Sequence, residues 1–187
     1  AIGQRLGKRP RIAVRVNPSF VMTGSGMKMG GGAKQFGVDA ERVPELLREI
    51  AGAGLAFEGF HMFAGSQNLR HAAIVEAQSK CYEQALEWQD LLPAPIRSLN
   101  LGGGFGIPYS PGEAALDASP VTDNLAQLSD RLVRDLPGAH IVIELGRYLV
   151  GEAGIYVARV IDRKVSRGEV FLVTDGGLHH NLAATGN

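Results

Sequence analysis

The sequence has few cysteines and tryptophans and no net charge. Its 187 residues include one cysteine, Cys81, and one tryptophan, and 19 basic side chains balance 19 acidic ones. A single cysteine excludes an internal disulfide and a zinc site built from several cysteines. Balanced charge gives no reason to expect nucleic acid or an anionic membrane as a partner. We expect Cys81 to be a small buried residue on a helix.

Long apolar runs are also missing. No stretch approaches the roughly 20 apolar residues that cross a bilayer, and the basic segment 1–11 lacks the hydrophobic core of a signal peptide. These features predict a cytoplasmic protein that has no membrane partner. The sequence starts with Ala1 and stops at Asn187 after small and polar residues. We therefore expect it to be a piece of a longer protein.

Apolar segments of strand length alternate with segments of helical period, a pattern typical of βα units and a parallel sheet. The predicted strands are residues 12–16, 55–63, 96–101 and 140–145. Three helices are predicted between them, with apolar faces over residues 43–50, 74–88 and 125–136. We expect Thr122 or Asp123 to cap the third helix.

The alternation of predicted strands and helices changes near residue 150. Two strand-like stretches, 155–162 and 169–174, follow without a helix between them and are joined by a predicted turn at 166–168. Because a complete (β/α)₈ barrel takes about 250 residues, the α/β part is predicted to be a partial TIM-like barrel. We expect residues 1–150 to be the C-terminal half of that barrel and residues 151–187 the truncated start of a β-rich domain.

Three consecutive glycines, Gly102, Gly103 and Gly104, follow the third predicted strand. Backbone N–H groups without side chains can close around an anion such as a phosphate. The alternative is a tight turn that allows close packing. The spacing fits neither a Walker loop nor a dinucleotide fingerprint.

Charged and aromatic side chains end two other strands. Glu144 lies at the end of the strand at 140–145, and Arg147 follows three residues later. The two residues either belong to the active face of a barrel or form a local ion pair. His61 and Phe63 are predicted to share one face, His61 either as a site residue or as a satisfied core histidine. Ser66 could donate its hydroxyl to a phosphate. No metal site is expected.

Six motifs occur together along the chain: VRVNP, KQFG, GFHMFAGSQN, NLGGGFG, ELGRYLVG and TDGGLHHNL. In this order they resemble the barrel-type (fold type III) pyridoxal-phosphate-dependent decarboxylases, the group of diaminopimelate, ornithine and arginine decarboxylases. GFHMFAGSQNL is most similar to a branch associated with exosortase A and exopolysaccharide gene sets.

The resemblance implies pyridoxal 5'-phosphate as cofactor, a small amino acid as substrate and a homodimer as the working form. It implies that Glu144 pairs with the pyridine nitrogen, and that the glycines, Ser66 and Arg147 contact the phosphate. The full set of cofactor-binding residues that it implies is Arg15, His61, Phe63, Ser66, Gly102, Gly103, Gly104, Glu144, Leu145, Gly146 and Arg147.

The sequence departs from the family pattern at two positions, with Leu145 where proline is usual and Phe63 where a histidine is usual. The family's Schiff-base lysine is expected outside this chain, so we assign no catalytic residue within it and do not expect Lys28 or Lys34 to take that role. Three alternatives stay open: a non-catalytic pyridoxal-phosphate-binding protein, a barrel-type racemase, and an unrelated barrel enzyme that binds a phosphorylated sugar.

Overall fold

The computed structural model describes residues 2–24, 26–28 (27 and 28 by their backbone alone), 30–177 and 179–180. The chain divides into two compact units, Ala1–Tyr148 and Leu149–Asn187. The strands are β1 (Arg11–Asn17), β2 (Met27–Lys28), β3 (Val38–Asp39), β4 (Ala56–Met62), β5 (Gly65–Ser66), β6 (Ser98–Asn100), β7 (His140–Val142), β8 (Val160–Ser166) and β9 (Glu169–Thr174). The helices are α1 (Ile2–Arg5), α2 (Val43–Gly52), α3 (His71–Glu87), α4 (Ser119–Asp135) and α5 (Arg147–Val150), with 3₁₀ turns at Ala40–Arg42 and Gln89–Leu91.

The first unit is built on a parallel sheet with the strand order β3-β1-β4-β6-β7. Its strand pairs are all parallel, and α2, α3 and α4 lie in the connections between consecutive strands. This is the repeating βα arrangement of a barrel wall. The prediction of an α/β fold with a parallel sheet is confirmed.

One face of the central strands forms the hydrophobic core. Side chains alternate between the two faces of a strand, and the buried positions on β1, β4 and the chain around β6 are apolar. They are Val14, Val16, Phe60, Met62, Leu99 and Leu101. Helices α2, α3 and α4 cover this face with residues that include Leu47, Tyr82 and Leu132. The residues between these apolar positions therefore face the other way.

The predicted start of the third helix and the predicted end of the fourth strand are wrong. Helix α4 begins at Ser119, before the expected cap at Thr122 or Asp123. Pro120 is favourable in a first turn, and the Asp117 carboxylate accepts the Ser119 N–H at 3.0 Å. Strand β7 ends at Val142 instead of residue 145, because the chain then turns and the Glu144 N–H donates to the Gly102 carbonyl at 2.8 Å.

The second unit contains an antiparallel hairpin of β8 and β9. Arg167 and Gly168 have positive φ angles of 52° and 90° at the predicted turn. Strand β8 begins five residues later and ends four residues later than the predicted stretch 155–162. The assignment of residues 151–187 to a separate domain of a longer protein stays a prediction. Within the described ranges, no helix is long and apolar enough to span a membrane.

Candidate active site at the carboxyl ends of the strands

A polar row crosses the sheet opposite the hydrophobic core. Arg15 on β1 is in register with His61 on β4, and His61 is in register with Asn100 on β6. Asn100 is in turn in register with Val142 on β7. Glu144 follows Val142 by two residues, and its carboxylate reaches the same row. The sheet therefore gathers two cationic or titratable groups, an amide and a carboxylate near the carboxyl ends of four strands.

Asn100 and His61 flank the Glu144 carboxylate. The Asn100 side-chain amide donates to Glu144 Oε1 at 2.9 Å. His61 Nε2 lies 3.3 Å from the same oxygen, but it is buried and makes no hydrogen bond of acceptable geometry with the described residues. The contact of His61 with Glu144 is therefore electrostatic. The Glu144 side chain is 44% exposed, which leaves part of the carboxylate available to a ligand.

The surroundings of His61 favour its neutral form. Burial lowers the pKa of His61 below its ordinary value, the Glu144 carboxylate opposes this by raising it, and the positive charge of Arg15 lowers it further. Burial disfavours a charged imidazole because the ring loses its hydration. At neutral pH the imidazole is therefore uncharged, and it places a neutral nitrogen beside the carboxylate.

We expect the His61 ring proton signals to titrate with a midpoint below 6.5, the ordinary value. The free energy of unfolding should fall as the pH drops from 6.5 toward the lower pKa of folded His61. Over this range the unfolded chain binds a proton that the folded chain does not bind. Arg15→Met should raise the midpoint and Glu144→Gln should lower it. NMR titration checks this, with His61→Gln identifying the signal. A midpoint above 6.5 would contradict the assigned surroundings.

The triple-glycine turn is packed too closely for side chains. Gly102 and Gly104 have φ angles of +73° and +91°, in the left-handed region that favours glycine. A Cβ at Gly102 would lie 2.6 Å from the Met62 carbonyl oxygen, and one at Gly103 would overlap the carbonyl oxygen of Glu144. The hydrogen bonds found among the described residues leave the N–H groups of Gly103 and Gly104 unused. Close packing and an anion cradle are therefore compatible here.

Asn68 fastens this turn to two other loops. Its side chain is fully buried, and its amide donates to the Thr23 carbonyl at 2.8 Å. Its backbone N–H donates to the Gly104 carbonyl at 2.8 Å, and its carbonyl accepts the Gly106 N–H at 2.9 Å. Asn68 belongs to the motif GFHMFAGSQN, but no role was predicted for it. Ser66, in the same segment, ends β5 next to this junction.

Arg147 does not pair with Glu144, so the local ion pair considered from the sequence is wrong. Arg147 Nη1 donates to the Tyr109 hydroxyl and, at 3.2 Å, to Gln67 Oε1. Gln67 also accepts the Ile107 N–H and donates to the Ile107 carbonyl. Tyr109 and Gln67 were missed by the sequence analysis, because their closeness to Arg147 depends on loops far apart in sequence.

Phe63 contacts a cation at the site. The Arg15 guanidinium lies 6.0 Å from the centre of the Phe63 ring and 5.2 Å from that of Phe36. Such contacts attract a cation to the ring faces. Phe63 therefore helps to hold Arg15, a role that does not require the histidine usual in the family.

Leu145 and Gly146 lie between Glu144 and Arg147. The Leu145 side chain packs against a hydrophobic cluster that contains Phe105, so the leucine adds apolar contacts beside the glycine turn. A Cβ at Gly146 would meet nothing within 4 Å, so packing alone does not require glycine there.

The described residues contain no group of three metal-ligating side chains. His179 and His180 are adjacent, with ring centroids 3.9 Å apart. Lys34, which is not expected to form the Schiff base, is half-buried. The described residues do not include the side chain of Lys28, nor the motif residues Leu178, Asn181 and Leu182. The groups that the described residues bring to the site are a carboxylate, a neutral imidazole, a guanidinium and free backbone donors.

These residues suit a phosphorylated group that also carries a hydrogen-bond donor. The buried Nε2 of His61 has no hydrogen-bonding partner among the described residues, and the free N–H groups of the glycine turn suit an anion. Glu144 lies beside that turn, since its N–H donates to the Gly102 carbonyl at 2.8 Å. A carboxylate and an anion cradle are thus neighbours.

Comparison with known proteins identifies the family. The pyridoxal binding domain of pyridoxal-dependent decarboxylases matches residues 2–151. The L-glutamyl-(BtrI acyl-carrier protein) decarboxylase of Niallia circulans is 34% identical over 98% of this chain and 44% of its own length. The diaminopimelate decarboxylase of Thermoplasma acidophilum is 35% identical over 94% of this chain and 42% of its own length.

Comparison with solved structures supports the same family. A diaminopimelate decarboxylase superposes with a TM-score of 0.80 at 26% identity, over 95% of this chain and 42% of the other. The Helicobacter pylori enzyme complexed with L-lysine gives a TM-score of 0.75 at 27% identity, over 95% and 43%. The chain thus spans less than half of these relatives. It belongs to the pyridoxal-dependent decarboxylase family through that family's pyridoxal-binding domain, and its cofactor is pyridoxal phosphate.

Proposed function

We propose that the complete protein containing this chain is a decarboxylase of a small amino acid, and that this chain supplies much of its cofactor site. The observation that carries the proposal is Glu144 beside the triple-glycine turn, with its carboxylate held at 2.9 Å by Asn100. A carboxylate next to an anion cradle matches the two ends of pyridoxal phosphate. The substrate class proposed is a basic or dicarboxylic amino acid, and the working form a homodimer.

Each residue is proposed to bind a particular part of the cofactor. The N–H groups of Gly103 and Gly104, the Ser66 hydroxyl and Arg147 would donate to the phosphate, Gly102 and Gly146 would keep these loops open to it, and Leu145 would hold Glu144 and Arg147 in place by packing. Phe63 would lie against a ring face and exclude water. The fold supports this proposal because these residues come from loops at the carboxyl ends of neighbouring strands.

The bound cofactor supplies an electron sink for the pair released as CO₂ leaves the substrate. Glu144 would accept the N–H of the pyridine nitrogen and so keep the proton on that nitrogen, which strengthens the sink. Arg15 and neutral His61 would set the charge around that carboxylate. The lysine that anchors the cofactor is proposed to lie outside this chain, so no residue here is assigned to that step.

Three rival functions make different demands on the site. A racemase of the resembling type places an arginine at the ring nitrogen, and Glu144 argues against it. A protein that binds a phosphorylated sugar would keep the glycine turn but has no need of Glu144. A non-catalytic pyridoxal-phosphate-binding protein would keep both the glycine turn and Glu144. The finer assignment to an exosortase-associated branch stays a prediction.

A spectrum and an activity assay on the complete protein separate these functions. We expect pyridoxal phosphate to give a visible absorption band on binding, and CO₂ release from at least one basic or dicarboxylic amino acid. A colourless protein that ignores the cofactor would refute the proposal in favour of a sugar-phosphate site. Yellow protein without CO₂ release across the panel would favour the non-catalytic alternative, and racemised product without CO₂ would favour the racemase.

A further inference from the structure

Asn100 links the two halves of the proposed cofactor site through one side chain. Its Nδ2 donates to Glu144 Oε1 at 2.9 Å, and its Oδ1 accepts the N–H of Gly102 at 2.8 Å. Glu144 is the carboxylate of the site and Gly102 is the first residue of the glycine turn. A single amide therefore contacts both the proposed ring-nitrogen partner and the start of the proposed phosphate cradle.

The chemistry of the two partners fixes the orientation of the amide. A backbone N–H requires an acceptor and an ionised carboxylate requires a donor, and a side-chain amide offers one of each at opposite corners. A hydroxyl is too short to span both groups, and a carboxylate in the same place has no donor. The strand holds Asn100 in register between His61 and Val142, so the amide has little freedom to choose other partners.

Glu144 has few other restraints. His61 Nε2 lies 3.3 Å from the same oxygen without hydrogen-bond geometry, and the Glu144 side chain is 44% exposed. A half-exposed glutamate loses rotamer entropy when it is held in one position. The hydrogen bond from Asn100 supplies the restraint and, by occupying Oε1, leaves Oε2 for a ligand.

We propose that Asn100 is a positioning residue for decarboxylation: it aims the Glu144 carboxylate at the ring nitrogen and holds the carboxylate in register with the glycine turn. This rests on the proposed function and deepens it. In this proposal Asn100 would not itself contact the reacting bond or the proton at the ring nitrogen. Its effect on the reaction passes through Glu144.

The two hydrogen bonds can be separated by substitution in the complete protein. Asn100→Asp keeps the acceptor for Gly102 but turns the donor toward Glu144 into a repelling carboxylate, whereas Asn100→Ala removes both. Ser98→Ala, on the same strand two residues earlier, is the matched control, since its side chain makes no hydrogen bond with the described residues. Pyridoxal-phosphate affinity, kcat, KM and the melting temperature of the apoprotein are measured for each.

We expect both Asn100 variants to lower kcat by about 10- to 100-fold, the usual effect of losing a hydrogen bond to a charged group. KM should change less than about threefold, and Ser98→Ala should behave like wild type. Asn100→Asp should retain cofactor affinity better than Asn100→Ala, because it keeps the Gly102 contact. Variants with wild-type kcat would overturn the proposal.

A double-mutant cycle with Glu144→Gln distinguishes positioning from a merely structural role. If Asn100 acts through Glu144, Asn100→Ala should lower kcat in the Glu144→Gln background by less than about threefold. An equal loss in both backgrounds would overturn the proposal, and the apoprotein melting temperatures show whether misfolding is the cause. Failure of the proposed function would look different: the wild-type protein would then show no cofactor-dependent CO₂ release at all.

Discussion

Replacing Glu144 with glutamine should reduce decarboxylation by roughly 100- to 1,000-fold, the range seen when one preorganised charge-stabilising group is removed. Glutamine keeps the size of the side chain and can still contact Asn100, but it carries no charge to retain the proton on the pyridine nitrogen. The measurement is kcat of the complete protein at saturating pyridoxal phosphate. Cofactor affinity should fall far less, since the phosphate contacts are made by other residues.

Glu49→Gln is the matched control. Glu49 lies exposed on α2, so removal of its charge should leave kcat within about twofold of wild type, as for most surface substitutions. Near-normal turnover of Glu144→Gln would refute the role assigned to Glu144. Loss of cofactor binding together with activity would instead show that Glu144 acts mainly in binding the cofactor.

Gly103→Ala should have the second large effect. A Cβ at Gly103 would overlap the carbonyl oxygen of Glu144. Both groups belong to the backbone, so neither can rotate away as the end of a flexible side chain can. Relief of the overlap must shift the glycine turn away from Glu144, at a cost of about 1–3 kcal/mol in stability. We expect a lower melting temperature and at least a tenfold weaker affinity for pyridoxal phosphate, measured by titration of the apoprotein.

Gly52→Ala tests whether glycine replacement alone is harmful. Gly52 is the last residue of α2, and a Cβ there would meet nothing within 4 Å. Alanine is the better helix former by about 1 kcal/mol, so this variant should be as stable as wild type or more stable, with unchanged cofactor affinity. If Gly103→Ala bound the cofactor as tightly as Gly52→Ala, the turn could not be the phosphate cradle.

Much of the fold was predictable because hydrophobic periodicity reports which side of an element is buried. The apolar positions of α2 and α3 and the strands around Val14, Phe60 and Leu99 were recognised from that pattern and lie in the core. Boundaries were less predictable. The start of α4 depends on Asp117 and Pro120, a local signal that precedes the predicted cap at Thr122 or Asp123.

The proposed site was predictable where a motif carried it. Glu144 and the three glycines were selected from sequence, and the structure brings their backbones within a hydrogen bond of each other. Asn100 was not selected, although it stands two residues before Gly102. Its importance comes from contacts with Glu144, 44 residues away, and no local pattern encodes such a contact.

The sequence alone determined the alternation of strands and helices, the family and the identity of the chemical groups at the strand ends, because these depend on residue type and local spacing. Only the tertiary structure decided that Arg147 bonds to Tyr109 and Gln67 instead of Glu144, and that Arg15, His61 and Asn100 form one row. The physical reason is register. Which side chains become neighbours depends on how separate strands align, and that alignment is set by the packing of the whole sheet.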